Sequence, residues 1–435
     1  MKKILLLATV FFFASCVKNH HEVITETQST KTTKITPAQA LDNLKRELKF
    51  IDGDTRAESE QRVVRTIKPL KSVTTRNSNG VANDLLYIVE FEEGQGSAIV
   101  AADTRLEPVV AVLDNSVLTE EDFTSTDAEN ISVYTANLIK NYAETTVSRS
   151  GEPFLPAPGH TVVDTIYSVN IPPMTKTKWH QSSPYNDLCK NYNGESVLAG
   201  CAAIAVAQYV YYHRSPDIIN GYNVHWNLLE WCEYDEPVFD GGFNGSIGGG
   251  NGNGGHIVPS FPIVSIGDEE AAKFVYNIGT LLNIHYQNGD TGAAPIEMEW
   301  GLADLGYNST FIDYNLNRAK EILSNNSPVI MGGYTSSNLG HAWLLDGWKQ
   351  YIIRTTTCTT PEGQVGIVIP QYTVTEESYD KVHANFGWEG KCDGYYTGEI
   401  FNCAVRNNDT EPNIGDRPFE ASGAIFNTNL KLFDL

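Results

Sequence analysis

Basic residues are scarce: 31 Lys and Arg stand against 53 Asp and Glu in a chain of 435 residues, a formal net charge of −22. No basic cluster interrupts that balance, so phosphate backbones and anionic lipid head groups are repelled, and nucleic acid is excluded as a partner. Charge of either sign is sparse at 19%, while 41% of residues are hydrophobic, a composition that excludes disorder except in short stretches. After the first thirteen residues no apolar run is long enough for a transmembrane helix. No C-x-x-C pair and no His/Cys cluster at ligand spacing occurs, which leaves a structural zinc site unsupported. The Gly/Asn run GGFNGSIGGGNGNGG (241–255) has no following Lys-Ser/Thr and cannot be read as a phosphate cradle. There are no internal repeats. The chain exceeds the size at which one core keeps growing, so more than one domain is expected.

The N-terminus is a targeting segment. Lys2 and Lys3 precede an apolar run from Ile4 to Phe13, and Ala14 and Ser15 then lead directly into Cys16. This resembles a bacterial lipoprotein signal, with Phe13 where Leu is usual, and it implies cleavage that leaves a lipid on Cys16. An ordinary secretory signal cut nearby is the alternative. Either way the mature chain is expected to be exported, as a cell-envelope lipoprotein or a secreted protein, touching the membrane only through that lipid. Of the seven cysteines, setting aside Cys16 and Cys201 leaves Cys189, Cys232, Cys358, Cys392 and Cys403. Five cannot all pair; two bridges and one thiol are possible, with no connectivity given by spacing.

Residues 17–35 are polar and Thr-rich, a tether. TPAQALDNLKRELKF predicts a helix capped by Thr36 and opened by Pro37, with Ala38, Leu41, Leu44 and Leu48 on one face. DLLYIVEFEEGQGSAIVAADTRLEPVVAVLD follows as apolar runs broken by Gly and Pro, a small antiparallel sheet, and the acidic stretch 119–129 reads as a solvated face. Residues 36–145 are thus expected to be one compact α+β unit. The segment 146–174, containing SRSGEPFLPAPGH, reads as an exposed linker where a protease would cut. From 175 to 435 the chain is aromatic-rich. DEEAAKFVYNIGTLLNIHY predicts a helix burying Ala272, Val275, Ile278 and Leu282, while SPVIMGGYT, HAWLLDGWKQ and YDKVHANFGWEG predict strands and turns.

LAGCAAIAVAQYV (198–210) carries the chemistry. A cysteine directly after a glycine, at the head of an alanine-rich helix, sits where unpaired N–H groups and the helix dipole favour a thiolate. The same N–H groups are donors for an oxyanion formed beside it. Alanines at 202, 203, 205 and 207 keep the helix slim enough for another part of the chain to pack close. A nucleophilic cysteine needs a base. His213 ends the same helix, about 18 Å from the thiol, too far to serve. His341, freed by Gly340 at the start of an apolar strand in LGHAWLLDGW, is the histidine with a context; His180 stands beside a Trp, and His225, His256, His285 and His383 have no distinctive context. Tyr209 to Tyr212 read as core, and Asp346 as a turn residue.

Together GCAAIAVAQ, GHAWLLDGW and NFGWEGKCDGYY resemble the streptopain-like cysteine peptidases, over roughly residues 175 to 400 and in family order. The resemblance implies an α+β fold: a papain-like two-lobed catalytic domain, one lobe helical and one antiparallel β, preceded by a small α+β prodomain at 36–145 that inhibits it. It implies a zymogen of a cysteine endopeptidase acting on protein or peptide substrates, with its own prodomain as intramolecular partner and no cofactor or metal. Position by position, Cys201 becomes the nucleophile and His341 the base. Gln181, in WHQSSPYND, becomes the oxyanion donor, Asn385 the group that orients the histidine, and Trp388 the indole that shields the pair. Ala202 and Phe386 depart from the family's usual larger residue and Trp. The longer loops near the cleft leave substrate preference open. Two other readings remain: a Cys/His hydrolase or acyltransferase of cell-wall peptides, and a non-catalytic lipid-tethered binding protein on a peptidase scaffold.

Overall fold

The computed structural model describes residues 21–24, 34–52, 62–70, 74–76, 82–92, 94–118, 161–233, 266–287, 290–334, 340–359, 371–398, 401–403, 424–426 and 428–435. The expected signal and lipidation Cys16, most of the tether, the acidic stretch 119–129, the first part of the linker and the Gly/Asn loop lie outside them. The chain is mixed α+β and divides into two units, one of residues 1–31, 145–170 and 350–379, the other of residues 32–144, 171–349 and 380–435. In the smaller unit, His21–Ile24 pairs antiparallel with Thr161–Ile171, which in turn pairs with the long strand Gly340–Thr359. Thr161–Ile171 lies inside the stretch read as linker; TVVDTIYSVNI is rich in β-branched residues, which suits a strand once an edge is offered.

The larger unit is built on one antiparallel sheet. In spatial order its strands are Thr310–Asp313, Thr428–Asp434, Val329–Tyr334, the part 340–349 of Gly340–Thr359, the part 380–385 of Gln371–Asn385, Gly394–Tyr396, Val109–Leu113, Ser97–Ala101, Leu86–Phe91 and Val64–Pro69. The N-terminal strands form where the apolar runs predict them. They do not close a sheet of their own: Val112 pairs with Tyr395 and Leu113 with Gly394, so the sheet continues into the C-terminal half.

Helix α1 (Pro37–Ile51) begins as expected. The Thr36 hydroxyl accepts the Gln39 N–H at 3.4 Å and the Gln39 side chain accepts the Thr36 N–H at 2.9 Å, a reciprocal cap. Its buried face is the predicted one in part: Leu44 and Leu48 are buried as expected. Ala38 is exposed and Leu41 half-buried, while Ala40, Leu44, Glu47, Leu48 and Ile51 are buried. The face turns to bury a glutamate because Lys381, itself wholly buried, stands 3.5 Å from Glu47 and pairs with Glu107. Two more bases of the C-terminal strands meet the N-terminal residues. Lys349 Nζ donates to the carbonyls of Phe50 (3.1 Å) and Ile51 (2.5 Å), where the helix's unpaired carbonyls and dipole favour a cation. His383 Nε2 lies 3.6 Å from Asp114, which also holds Arg62 at 2.5 Å.

Helix α2 (Cys201–His213) and helix α3 (Ile266–Leu281) pack together beside the sheet, with α4 (Pro295–Asp304) behind them. The alanines at 202, 203, 205 and 207 are buried, as are Tyr209 and Tyr211, and the predicted α3 face of Ala272, Val275 and Ile278 holds. Among the described residues no helix is long and apolar enough to cross a membrane. Cys189, Cys232, Cys358 and Cys392 are free thiols, so the bridges that five leftover cysteines allowed do not form among them.

Candidate active site

The glycine before the cysteine is explained by backbone geometry. Gly200 has φ of +92°, in the region that favours glycine, and an added Cβ would stand 3.3 Å from the Thr291 carbonyl. Without a side chain at this N-cap, the first-turn N–H groups of α2 are left uncapped at the position of Cys201. The Cys201 sulfur is half-buried, and the N–H groups of Cys201, Ala202 and Ala342, the last being the residue after His341, favour its charged form. Burial nevertheless pushes the thiol above its ordinary value, against those three donors. The expected bias toward thiolate is therefore not met in this arrangement. A helix terminus supplies partial charge only, and no imidazolium stands on the sulfur to complete it.

His341 sits at the start of its strand opposite Gly333, as its glycine-preceded context predicts. Its ring is buried in an aromatic cage, 4.2 Å between centroids from Trp388, with Phe386, Trp343 and Phe426 around it. Burial lowers its pKa to about 4, against a backbone hydrogen bond that favours the charged form, so at neutral pH the ring is uncharged. Nε2 lies 2.9 Å from the Phe386 carbonyl and must be the protonated nitrogen, which leaves Nδ1 as the acceptor of the neutral ring. Trp388 thus stacks where an indole shield was expected.

Asn385 is buried one residue from that carbonyl, but its side chain is engaged elsewhere. Nδ2 donates to Thr177 O at 2.8 Å and Thr175 Oγ1 at 3.2 Å, and Oδ1 accepts the Gly387 N–H at 3.1 Å. The group on His341 Nε2 is the Phe386 carbonyl rather than the Asn385 amide. Gln181 is half-buried in the segment leading to the helix. Its carbonyl accepts the Ala199 N–H at 2.9 Å, which ties its backbone two residues ahead of Cys201. Gln208, buried on α2, accepts the Thr177 hydroxyl at 2.6 Å and joins the helix to the same segment.

Two residues without an expected role are central here. Asp346, read as a turn residue, is fully buried inside its strand; its carboxylate accepts from the Thr175 N–H (3.1 Å), the Thr175 hydroxyl and His383 Nδ1 (2.6 Å). The single signal that could have found it is the alternation of LLDGW, which turns a carboxylate inward between apolar neighbours. His383, read as contextless, lies between Asp346 and Asp114. Burial works against its charged form, but the two carboxylates outweigh it and raise the pKa to about 10. Asp393 accepts the Phe386 N–H at 2.8 Å, and burial raises it to about 7.

Residues 179–396 match the model of the peptidase C10 family. The chain belongs to the peptidase C10 family. The peptidase is similar to two solved structures of a Prevotella intermedia protein. A mutant fragment of prointerpain A is 15% identical, covers 86% of this chain and 98% of its own, and gives a TM-score of 0.45. The active wild-type interpain A cysteine protease is 18% identical, covers 61% of this chain and 95% of its own, and gives 0.38. No curated protein matches the peptidase. Membership makes it a cysteine-type peptidase, a hydrolase of peptide bonds.

The buried histidine gives this peptidase a stated pH dependence. A folded pKa raised from 6.5 to about 10 stabilises the fold fully below pH 6.5, and that contribution is lost as pH rises through about 10. The melting temperature is expected to decline between those limits, and His383→Gln to flatten the decline. An equally steep decline in the variant, measured by calorimetry, would assign it to other groups.

Proposed function

We propose that the chain is an exported cysteine endopeptidase made as a zymogen, with Cys201 as nucleophile and His341 as its base. The observation that carries the reading is that Cys201 heads α2 uncapped while the peptide whose carbonyl holds His341 turns against Ile204 of the same helix. With His341 Nε2–H tied to Phe386 O, Nδ1 is the nitrogen left to take the thiol proton. The thiolate attacks the scissile carbonyl. The oxyanion is held by the Cys201 N–H and the Gln181 side chain, the imidazolium protonates the leaving amine, and water hydrolyses the thioester. Trp388 and its aromatic neighbours keep water from the imidazole.

The resting site is uncharged: a thiol raised by burial beside a histidine lowered to about 4. Residues 36–145 act as the inhibitory prodomain. Their fixed points on the peptidase part are the pairing of Val109–Leu113 with Gly394–Tyr396 and the seats of Lys349, Lys381 and His383. Cleavage within 146–174 lets them leave. Export and a lipid on Cys16 follow from the signal.

Gln181→Ala is expected to lower kcat by about two to three orders of magnitude with little change in unfolding temperature. An unchanged kcat would remove Gln181 from the chemistry. The zymogen reading is tested by expressing residues 17–435 with 146–174 made uncleavable and assaying a peptide substrate. Full activity from that uncut chain makes the N-terminal part a spacer instead. Turnover of peptidoglycan in place of casein would favour the cell-wall reading.

A further inference from the structure

We propose that Asp346 is a positioning residue for His341, acting through a relay of hydrogen bonds that ends in a single peptide group; the proposal rests on the Cys201–His341 reading above. The relay starts at the buried Asp346 carboxylate, which accepts the Thr175 hydroxyl proton. With its proton so committed, Thr175 Oγ1 can only accept from Asn385, and does so from Nδ2 at 3.2 Å. That contact, with the one to Thr177 O, fixes which end of the Asn385 amide is nitrogen. The oxygen end therefore faces the Gly387 N–H at 3.1 Å. Gly387 N–H and Phe386 C=O are the two ends of one planar peptide group, and the Phe386 oxygen accepts His341 Nε2–H at 2.9 Å.

Two features show that this peptide is built for its place. Gly387 has φ of +68°, and a Cβ there would lie 2.8 Å from Ile204 of α2, so only glycine lets the peptide turn against the nucleophile's helix. On its other side the Phe386 N–H is held by Asp393. Hydrogen bonds in series polarise one another, so a carboxylate at the head of the chain strengthens the Phe386 oxygen as an acceptor and favours the imidazolium that forms in catalysis. The charged groups around Asp346 are His383, Asp114 and Asp393, while the ring of His341 is enclosed by Trp388, Phe386, Trp343 and Phe426.

Thr175 tests the relay without removing a buried charge. Thr175→Val keeps the shape and deletes the hydroxyl, whereas Thr175→Ser keeps the hydroxyl. The whole chain and its variants are brought to constant activity and assayed on a peptide substrate across pH, with melting temperature as a check on folding. Thr175→Val is expected to lower kcat about tenfold or more with KM unchanged, as for a misplaced catalytic group. Its alkaline limb of kcat/KM should move to lower pH, because the imidazolium loses support. Thr175→Ser should restore both. Asp346→Asn should move the limb in the same direction, and adding it to Thr175→Val should cost little more, since both cut one chain. A wild-type kcat and alkaline limb in Thr175→Val, or equal losses in Val and Ser, overturns the relay. Cys201→Ala is run alongside: if it is inactive while Thr175→Val is unaffected, the relay alone fails, and if it is active, the Cys–His reading fails and takes the relay with it.

Discussion

Replacing Cys201 by serine is expected to reduce peptide hydrolysis by more than about a thousandfold while the melting temperature stays within a degree or two of wild type. The two side chains differ little in size, and the site is half-buried, so the substitution leaves no cavity. The uncapped N–H groups at the start of α2 would serve a hydroxyl equally well. What is lost is acidity. An alcohol is far harder to deprotonate than a thiol, and a histidine held near pKa 4 in this arrangement is too weak a base to compensate. Steady-state hydrolysis of a fluorogenic peptide by freshly purified protein measures it; residual activity above about a thousandth of wild type would point to a different nucleophile.

Lys381→Met should be the most damaging substitution for stability. Lys381 is wholly buried, Glu47 nearly so, and Glu107 pairs with the same ammonium group. Removing the cation takes the ion-pair partner from the buried Glu47 and the half-buried Glu107, and breaking such a pair typically costs about 3–5 kcal/mol. Burial already raises Glu107 to about 7 despite the lysine. A carboxyl with a raised folded pKa stabilises the fold at low pH and weakens it as pH climbs from 4.5 toward that value. Without Lys381 that value climbs further, so the loss should be smallest near pH 4.5 and grow toward neutrality and above. Urea unfolding of the chain carrying Cys201→Ala, which removes the proposed nucleophile, gives the number. The triple variant Lys381→Met, Glu47→Gln, Glu107→Gln should recover much of it. A single variant as stable as wild type would mean that the buried pair contributes nothing net.

Local patterns were readable where one element decides the outcome. Thr36 and Pro37 start a helix by their own chemistry, GCAAIAVAQ declares a helix headed by cysteine, and the glycine before His341 marks a strand start. Trp388 was placed beside the histidine by resemblance and stacks on it. What escaped were features whose partner is distant in sequence and leaves no mark on the local pattern. Glu47 drew no reading at all, because its cation is more than 300 residues away. Asp346 looked like a turn residue because nothing nearby reveals His383 or Thr175. Asn385 was expected on the histidine, yet Thr175 and Thr177 claim its nitrogen and leave the neighbouring carbonyl to do that task. The end of the N-terminal sheet could not be seen either, since an apolar strand such as VVAVL reads alike at an edge and in the middle.

The contact between Val109–Leu113 and Gly394–Tyr396 also sets an order of folding. It closes a loop of about 280 residues, and the entropy of such a closure is repaid only once both flanking sheets exist to receive it. The N-terminal strands leave the ribosome first and pair with sequence neighbours, so a ready edge awaits the last strands of the chain. A chain that starts after residue 145 must instead assemble Gly394–Tyr396 as a bare border with one neighbour. Such a chain should refold more slowly and aggregate more readily than the whole one, and a separately made segment 32–144 supplied in the refolding buffer should shorten the delay.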